Sequence, residues 1–147
     1  MEKQIQVQKL YEDSQVPQRG SELAAGYDLY AYLNGESITI APGETAKVGT
    51  GIAVRPPAGM FGAVFARSGL ATKQGLRPAN CVGVCDEDYT GEYIVALHND
   101  SAEERTVAHG DRIAQLVFLP YLGMELTTVD ELVATDRGDG GFGSTGA

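Results

Sequence analysis

This sequence predicts an all-β, jelly-roll-like or distorted β-barrel subunit with a flexible Gly-rich C-terminal arm. Three observations carry that prediction. Apolar residues recur at every second position or in short runs bounded by turn signals. The 147 residues include 19 Gly and 6 Pro but no Trp, a turn-rich composition foreign to a helix bundle. Helical spacing is confined to two short stretches, and a chain of this length forms one domain that buries roughly 68–70% of its unfolded surface.

The elements follow in order. In Gln4-Ile5-Gln6-Val7-Gln8 the apolar residues fall at every second position, the mark of a half-buried strand. SITI at 37–40, TAKVGTGIAV at 45–54, MFGAVFA at 60–66, YIVALH at 93–98 and RIAQLVFLP at 112–120 are further strands. APGE, PPAG, YTGE and AHGD read as the turns between them, because Gly and Pro supply the backbone angles that reverse a chain. LATKQ at 70–74 is about one helical turn, and LTTVDELV at 126–133 fits helix or strand equally. The pattern gives a β-domain over 1–134 and a mobile arm over 135–147, where apolar side chains almost vanish.

The balance of 20 acidic against 11 basic residues leaves a formal charge of −9, a field that repels a phosphodiester backbone, so nucleic acid is excluded as a partner. The start, MEKQIQVQKL, has no apolar run of the signal-peptide kind, and no segment is long enough to span a bilayer. The expectation is a soluble, intracellular, cytoplasmic protein, a nuclear or viral setting not being excluded. Cys81 and Cys85, four apart in CVGVC, read as two small buried side chains in a reducing compartment rather than as a metal site. His98 and His109 lack a second ligand at metal spacing and read as structural.

Four stretches, AAGYDLYA (24–31), ARSGLA (66–71), NCVGVCDEDYTGEY (80–93) and GDRIAQL (110–116), are too polar and Gly-rich to read as core strands. Arg67-Ser68-Gly69 places a guanidinium, a hydroxyl and a Gly-exposed N–H at a strand end, three kinds of anion donor; on its own the triplet reads equally as a surface turn. Asp86, Glu87, Asp88 and Tyr89 follow an apolar run. By alternation Asp86 and Asp88 share a face with Val82 and Val84, which draws a carboxylate inward, where partial desolvation suits it to take a proton from water. A solvent-facing hairpin is the equal alternative. Asp28, flanked by apolar residues, is either satisfied by a partner or linked to a metal. Gln115, inside IAQLVFL, either bonds backbone or lines a cavity. Gly110-Asp111-Arg112 reads as a turn and a strand start.

The arm TDRGDGGFGSTGA holds five Gly, one ring, Phe142, and one cation, Arg137. Gly-rich backbone offers N–H groups to phosphates, a guanidinium pairs with a phosphate oxygen, and a ring stacks on a flat base. Those are the handles a nucleotide presents, and a segment that orders over its ligand is a lid.

In order and spacing, AAGYDLYA, ARSGLA, GVCDEDYTGEY, GDRIAQLVF and RGDGGFGSTG resemble the five motifs of the trimeric dUTP diphosphatases (dUTPases), from about Leu10 to the C-terminus. The resemblance implies a homotrimer of jelly-roll-like subunits, with active sites shared between chains, that uses Mg2+ to hydrolyse dUTP to dUMP and pyrophosphate. That reaction limits uracil incorporation into DNA and supplies dUMP for thymidylate synthesis. By position, the resemblance makes Asp86 the general base for water attacking the α-phosphorus and Gln115 a holder of that water and the α-phosphate. Arg67, Ser68 and Gly69 become phosphate contacts. Asn80, the backbone of Gly83, Val84 and Cys85, and nearby Ile94 read the uracil edge, while Tyr89 lies against the deoxyribose and rejects a ribose 2′-OH. Asp28 contacts metal-bound water, the phosphates being the metal's main ligands. Arg137 contacts phosphate, Phe142 stacks on uracil, and Gly143, Ser144 and Thr145 wrap the γ-phosphate. Ala66, Cys85 and the Pro78-Ala79 pair depart from the family's commoner residues. Two alternatives stand beside this reading: a related dCTP deaminase, and a non-catalytic trimeric module that binds nucleotide or a partner.

Overall fold

The computed structural model describes residues 4–143. Eleven strands run in chain order: β1 (Gln6–Lys9), β2 (Gln18–Arg19), β3 (Tyr27–Tyr30), β4 (Ser37–Ile40), β5 (Thr45–Arg55), β6 (Met60–Phe65), β7 (Leu76–Pro78), β8 (Gly83–Cys85), β9 (Glu92–Asn99), β10 (Arg105–Ala108) and β11 (Arg112–Pro120). A single wide helical turn, Leu70–Gln74, lies between β6 and β7. The strands form a four-stranded sheet, β1-β5-β9-β7, a five-stranded sheet, β2-β3-β11-β6-β8, and the two-stranded ladder β10-β4. Every pairing is antiparallel. This is the jelly-roll-like architecture that the turn-rich alternation predicts.

The core lies between the two larger sheets. Leu29 from β3, Val48 and Ile52 from β5, Tyr93, Val95 and Leu97 from β9, and Ile113 and Leu116 from β11 are all buried in it. Along β9 the burial alternates strictly, because odd residues face the core and even residues face out. The long strand β5 breaks its register with β9 between Gly49 and Ala53. Gly51 takes φ +69 there, its N–H donates to Glu92 Oε2 at 3.2 Å, and Thr50 Oγ1 donates to the Tyr93 carbonyl at 2.6 Å. The bulge re-aims β5 without leaving those groups unpaired.

The sequence places SITI, MFGAVFA, YIVALH and RIAQLVFLP on β4, β6, β9 and β11, and LATKQ on the helical turn. Two of its readings are corrected. GYDLY is a core strand after all: β3 carries Leu29, fully buried, because one inward residue in four suffices when both neighbours in the sheet are paired. LTTVDELV is neither helix nor strand. It follows β11 as an extended segment with Leu126, Leu132 and Val133 almost wholly exposed, so no surface of the same chain rewards either conformation. His98 and His109 are structural: the His109 Nδ1 accepts from the Leu33 N–H at 3.0 Å, and His98 Nδ1 meets Thr45 Oγ1 at 2.8 Å.

No residue beyond Leu116 belongs to the buried core among the described residues. Deleting residues 136–147 should therefore leave the midpoint of thermal unfolding without ligand within about 2 °C of the full chain. Scanning calorimetry checks this; a fall above about 5 °C would make the arm part of the fold.

Candidate active site

Seven residues singled out in the sequence, Asn80, Gly83, Val84, Cys85, Asp86, Tyr89 and Ile94, line one cleft of about 280 Å³. Val64, Pro78, Glu92 and Tyr93 complete much of its wall. The entry loop turns tightly: the Cys81 N–H donates to the Pro78 carbonyl at 3.1 Å and the Val82 N–H to the Asn80 carbonyl at 2.7 Å, with Cys81 at φ +62. The chain then runs into β8, which pairs only with β6, through Gly83 to Val64, Val84 to Ala63 and Cys85 to Gly62. As the last strand of its sheet, β8 has main-chain donors and acceptors on its far side with no ladder partner.

The next four residues close a turn, the Tyr89 N–H donating to the Asp86 carbonyl at 3.1 Å. Tyr89 is then pinned: its hydroxyl donates to the Glu92 carbonyl at 2.8 Å, and its ring lies beside that of Tyr93 at 6.3 Å between centroids. Gly91 makes this possible, since a Cβ there would come within 2.9 Å of three atoms of the Tyr89 side chain.

Of the two readings left even for these acids, the solvent-facing one holds for Asp86 and Asp88 and the inward one does not. Both are exposed in the single chain, and Val84, on the same face, is 64% exposed. Inward positions on β8 go to Gly83 and Cys85, which pack toward β6, so the Val84–Asp86 face is the outer one. The acid that is held is Glu87, whose Oε2 accepts from the Gly59 N–H at 3.0 Å and the Tyr121 hydroxyl at 2.6 Å. The Tyr121 bond, then the Gly59 N–H, keep the Glu87 carboxyl below the usual carboxylate range.

A second set sits on β3, β6 and β11. Arg67 Nε bonds Asp28 Oδ1 at 3.0 Å, and Arg112 Nη1 approaches Asp28 Oδ2 at 3.8 Å. Asp28 is thus satisfied by guanidiniums, one of the two readings the sequence left open. Gln115 Nε2 donates to the Ala66 carbonyl at 2.9 Å, the backbone partner foreseen for a polar residue in an apolar run. Its side chain lies over Gly26, where any Cβ would collide with Gln115 Oε1. Ser68 and Gly69 are exposed and lead into the helical turn. Arg67 and Arg112 line a separate cleft of about 290 Å³ with Gln74 and Asp111. Among the described residues of one chain, the Asp86 cleft is not lined by Arg67, Gln115 or the arm.

The arm's described part folds on itself, Arg137 Nε donating to the Gly140 carbonyl at 2.7 Å. Phe142 is fully exposed at φ +53, and Gly143 follows at φ +79. Ser144 and Thr145 lie outside the described residues. Among the described residues, no three His, Cys, Asp or Glu side chains are placed to hold a metal ion. Asp28, which the sequence left open to a metal, is held by Arg67 and Arg112, whose positive charges do not by themselves favour a cation beside it.

The cysteine expectation needs correction too. Cys81 is exposed, because the turn at φ +62 swings it out of the strand, and only Cys85 is partly buried. Burial pushes the Cys85 thiol up, against a smaller opposing contact with Tyr93. The Tyr93 hydroxyl is itself buried without an ordinary hydrogen-bond partner. Sequence reasoning missed Arg112, Glu87, Tyr121 and Tyr93. A Gly-Asp-Arg strand start beside an acidic β3 is the one signal that points to Arg112.

The fold and the site define the class as an antiparallel all-β jelly-roll protein with an edge-strand cleft and a paired-arginine cluster. The dUTPase family model matches residues 12–146, and the chain belongs to the dUTPase family. The deoxyuridine 5′-triphosphate nucleotidohydrolase of Desulfitobacterium hafniense is 53% identical over 132 residues, covering 89% of this chain and 87% of its own. That of Debaryomyces hansenii is 46% identical over 137 residues, with 92% and 82% covered. A point variant of the Staphylococcus bacteriophage 80alpha dUTPase, solved with dUpNHpp, matches with a TM-score of 0.87 at 28% identity, covering 98% of this chain and 99% of that one. A variant dUTPase from phage phi11 of S. aureus, which coordinates a structural Mg(II) ion, matches with a TM-score of 0.79 at 26% identity over 89% and 99%.

The burial difference between the thiols is measurable. A chromogenic disulfide added to the native protein should titrate Cys81 fast and Cys85 slowly, and both fast in denaturant. Equal fast rates in the native state would place Cys85 at the surface.

Proposed function

We propose that this protein hydrolyses dUTP to dUMP and pyrophosphate. The observation that carries the reading is the gathering of Asn80, Gly83, Val84, Cys85, Asp86, Tyr89 and Ile94 around one cleft beside a free strand edge. Family membership and relatives named for this reaction support it.

In this reading the uracil edge meets the Gly83–Cys85 main chain and Asn80, with Ile94 below it, and Tyr89 lies against the sugar where a 2′-OH would clash. Asp86 takes a proton from water as its oxygen bonds to the α-phosphorus. The bond from that phosphorus to the bridging oxygen breaks, and pyrophosphate leaves with the electron pair. Gln115, its nitrogen committed to Ala66, keeps its oxygen to orient the water. Arg67, pre-set by Asp28, exchanges onto phosphate oxygens with Ser68 and Gly69. Mg2+, when bound, neutralises charge spread over the phosphates. Arg137, Phe142, Gly143, Ser144 and Thr145 close over the nucleotide and exclude water. The β-domain over 1–134 and the closing arm over 135–147 are the two working units.

Assembly as a homotrimer with shared sites is part of the same proposal. The Asp86 cleft and the Arg67 cluster do not share a cleft in one chain, and residues 121–133 expose Leu122, Leu126, Leu132 and Val133. A run of exposed apolar side chains on that scale marks an interface.

Pyrophosphate release from dUTP, compared with dCTP, dTTP and UTP, tests the reading directly, and release from dUTP alone is expected. Asp86→Asn should keep binding of dUpNHpp while turnover falls about 10²-fold or more, because the amide cannot take the proton. Wild-type turnover in that variant would remove Asp86 from the base role. Chains carrying Asp86→Asn and chains truncated at 135, each nearly inactive, can be unfolded together and reassembled. Random mixing in closed cyclic trimers should restore ~1/4 of sites if one chain's arm closes another's Asp86. Activity staying at the level of the separate variants, with mixed trimers confirmed by native mass spectrometry, would mean each arm closes its own chain.

A further inference from the structure

Glu87 is the middle acid of DEDY and has no part in the chemistry proposed above, yet it is the best anchored of the three. Its Oε2 takes the Gly59 N–H at 3.0 Å and the Tyr121 hydroxyl at 2.6 Å. Tyr121 is tied twice more: its own N–H donates to the Gly59 carbonyl at 3.1 Å, and its ring meets Phe61 edge-on at 6.5 Å. Tyr121 is the first residue after β11, so it is where the chain leaves the sheet, at the root of the segment that leads to the arm at residue 135. One carboxylate therefore joins three pieces: the turn that carries Asp86, the Pro57–Met60 turn ahead of β6, and the root of the C-terminal arm. The Asp86, Glu87 and Asp88 side chains and Tyr121 line a common cleft with Arg55, Phe61 and Val84.

We infer that Glu87 is a positioning residue that latches the root of the C-terminal arm, through Tyr121, to the turn bearing Asp86. The inference rests on the reading of the arm as a lid. An arm leaving a fixed root samples fewer directions than one leaving a free root, and closure costs less entropy when the launch direction is set beforehand. The cleft that Glu87 and Tyr121 share with Asp86 is distinct from the one gathered around Asn80 and Tyr89, so the latch acts on arm closure from beside the turn that carries the base. The Tyr121 hydroxyl and the Gly59 N–H hold Glu87 ionised at neutral pH, where its bonds are charge-assisted.

The test is a double-mutant cycle in the full chain, read as the affinity for dUpNHpp by calorimetry. Tyr121→Phe keeps the ring on Phe61 and removes only the hydroxyl; Glu87→Ala removes the acceptor. Each should weaken binding about 3- to 10-fold, the scale of one lost hydrogen bond. In a Phe142→Ala background, where the arm has lost its stacking ring, the same changes should cost less than about 2-fold, since residues acting through one element are not additive. Glu87→Gln retains an acceptor for both donors and should lose less than half as much as Glu87→Ala. An equal loss in both backgrounds overturns the inference, because it would show Glu87 acting on the cleft and not on the arm. So would a Glu87→Gln loss as large as that of Glu87→Ala, which would trace the effect to charge, and so would unchanged binding in Tyr121→Phe. If Glu87→Ala does not fold, Tyr121→Phe carries the cycle alone, its hydroxyl being outside the core. Failure of the lid reading is separate: there Phe142→Ala by itself would leave dUpNHpp affinity unchanged.

Discussion

The antiparallel ladder between β6 and β11 is the constraint on which the other parts depend. It runs over six residue pairs, from Gln115 opposite Phe65 to Pro120 opposite Met60. At its first end the ladder delivers Gln115 to the Ala66 carbonyl and places Arg67 one residue further, against Asp28 on β3. At its other end it delivers Tyr121 to Gly59 and releases the arm. The outer edge of β6 carries β8, so the strand that lines the Asp86 cleft is registered by the same residues. Moving that register by one residue would flip every side chain to the other face and dismantle all three at once.

Glycine makes the close approaches around this ladder possible. Gly62 lies under the Tyr93 hydroxyl, where a Cβ would sit 2.9 Å away, and it pairs with Cys85 across the β6–β8 boundary. Gly26 leaves room for the Gln115 side chain, and Gly91 for the Tyr89 ring. Each is a place where the backbone comes up against the side chain of Tyr93, Gln115 or Tyr89. A methyl group at any of them would displace a residue assigned here to the site, so the cost would fall on geometry first.

The polar parts are arranged to offset their own desolvation. Asp28 is mostly shielded, its side chain 19% exposed, and meets two guanidiniums. A carboxylate in that position holds the Arg67 guanidinium and draws in that of Arg112. The contrast with Asp86 is physical: among the described residues Asp86 makes no ion pair and stays exposed in the single chain, whereas Glu87 beside it commits its Oε2 to Gly59 and Tyr121.

The strands were legible because their signal is local. Val95 and Leu97 alternate with outward residues along β9, and IAQLVFL announces β11 as a buried run. Candidate site residues stood out through chemistry: Asp86, Tyr89 and Gln115 are polar groups in apolar or Gly-rich company, and five ordered blocks pointed to a family. What the sequence could not decide was direction and partnership. Strict alternation put Asp86 and Asp88 on the inner face, but β8 is an edge strand whose inner positions belong to Gly83 and Cys85. Likewise Asp28 could be read as paired or metal-linked until β3 and β6 met across β11, and Glu87 looked interchangeable with its neighbours until Tyr121, 34 residues later, arrived at its carboxylate. Residue type and spacing are properties of one segment and determined the class, the strands and the chemical vocabulary. Which face a carboxylate turns to, and what it holds, depends on contacts between segments far apart in the chain, and only the tertiary structure decided those.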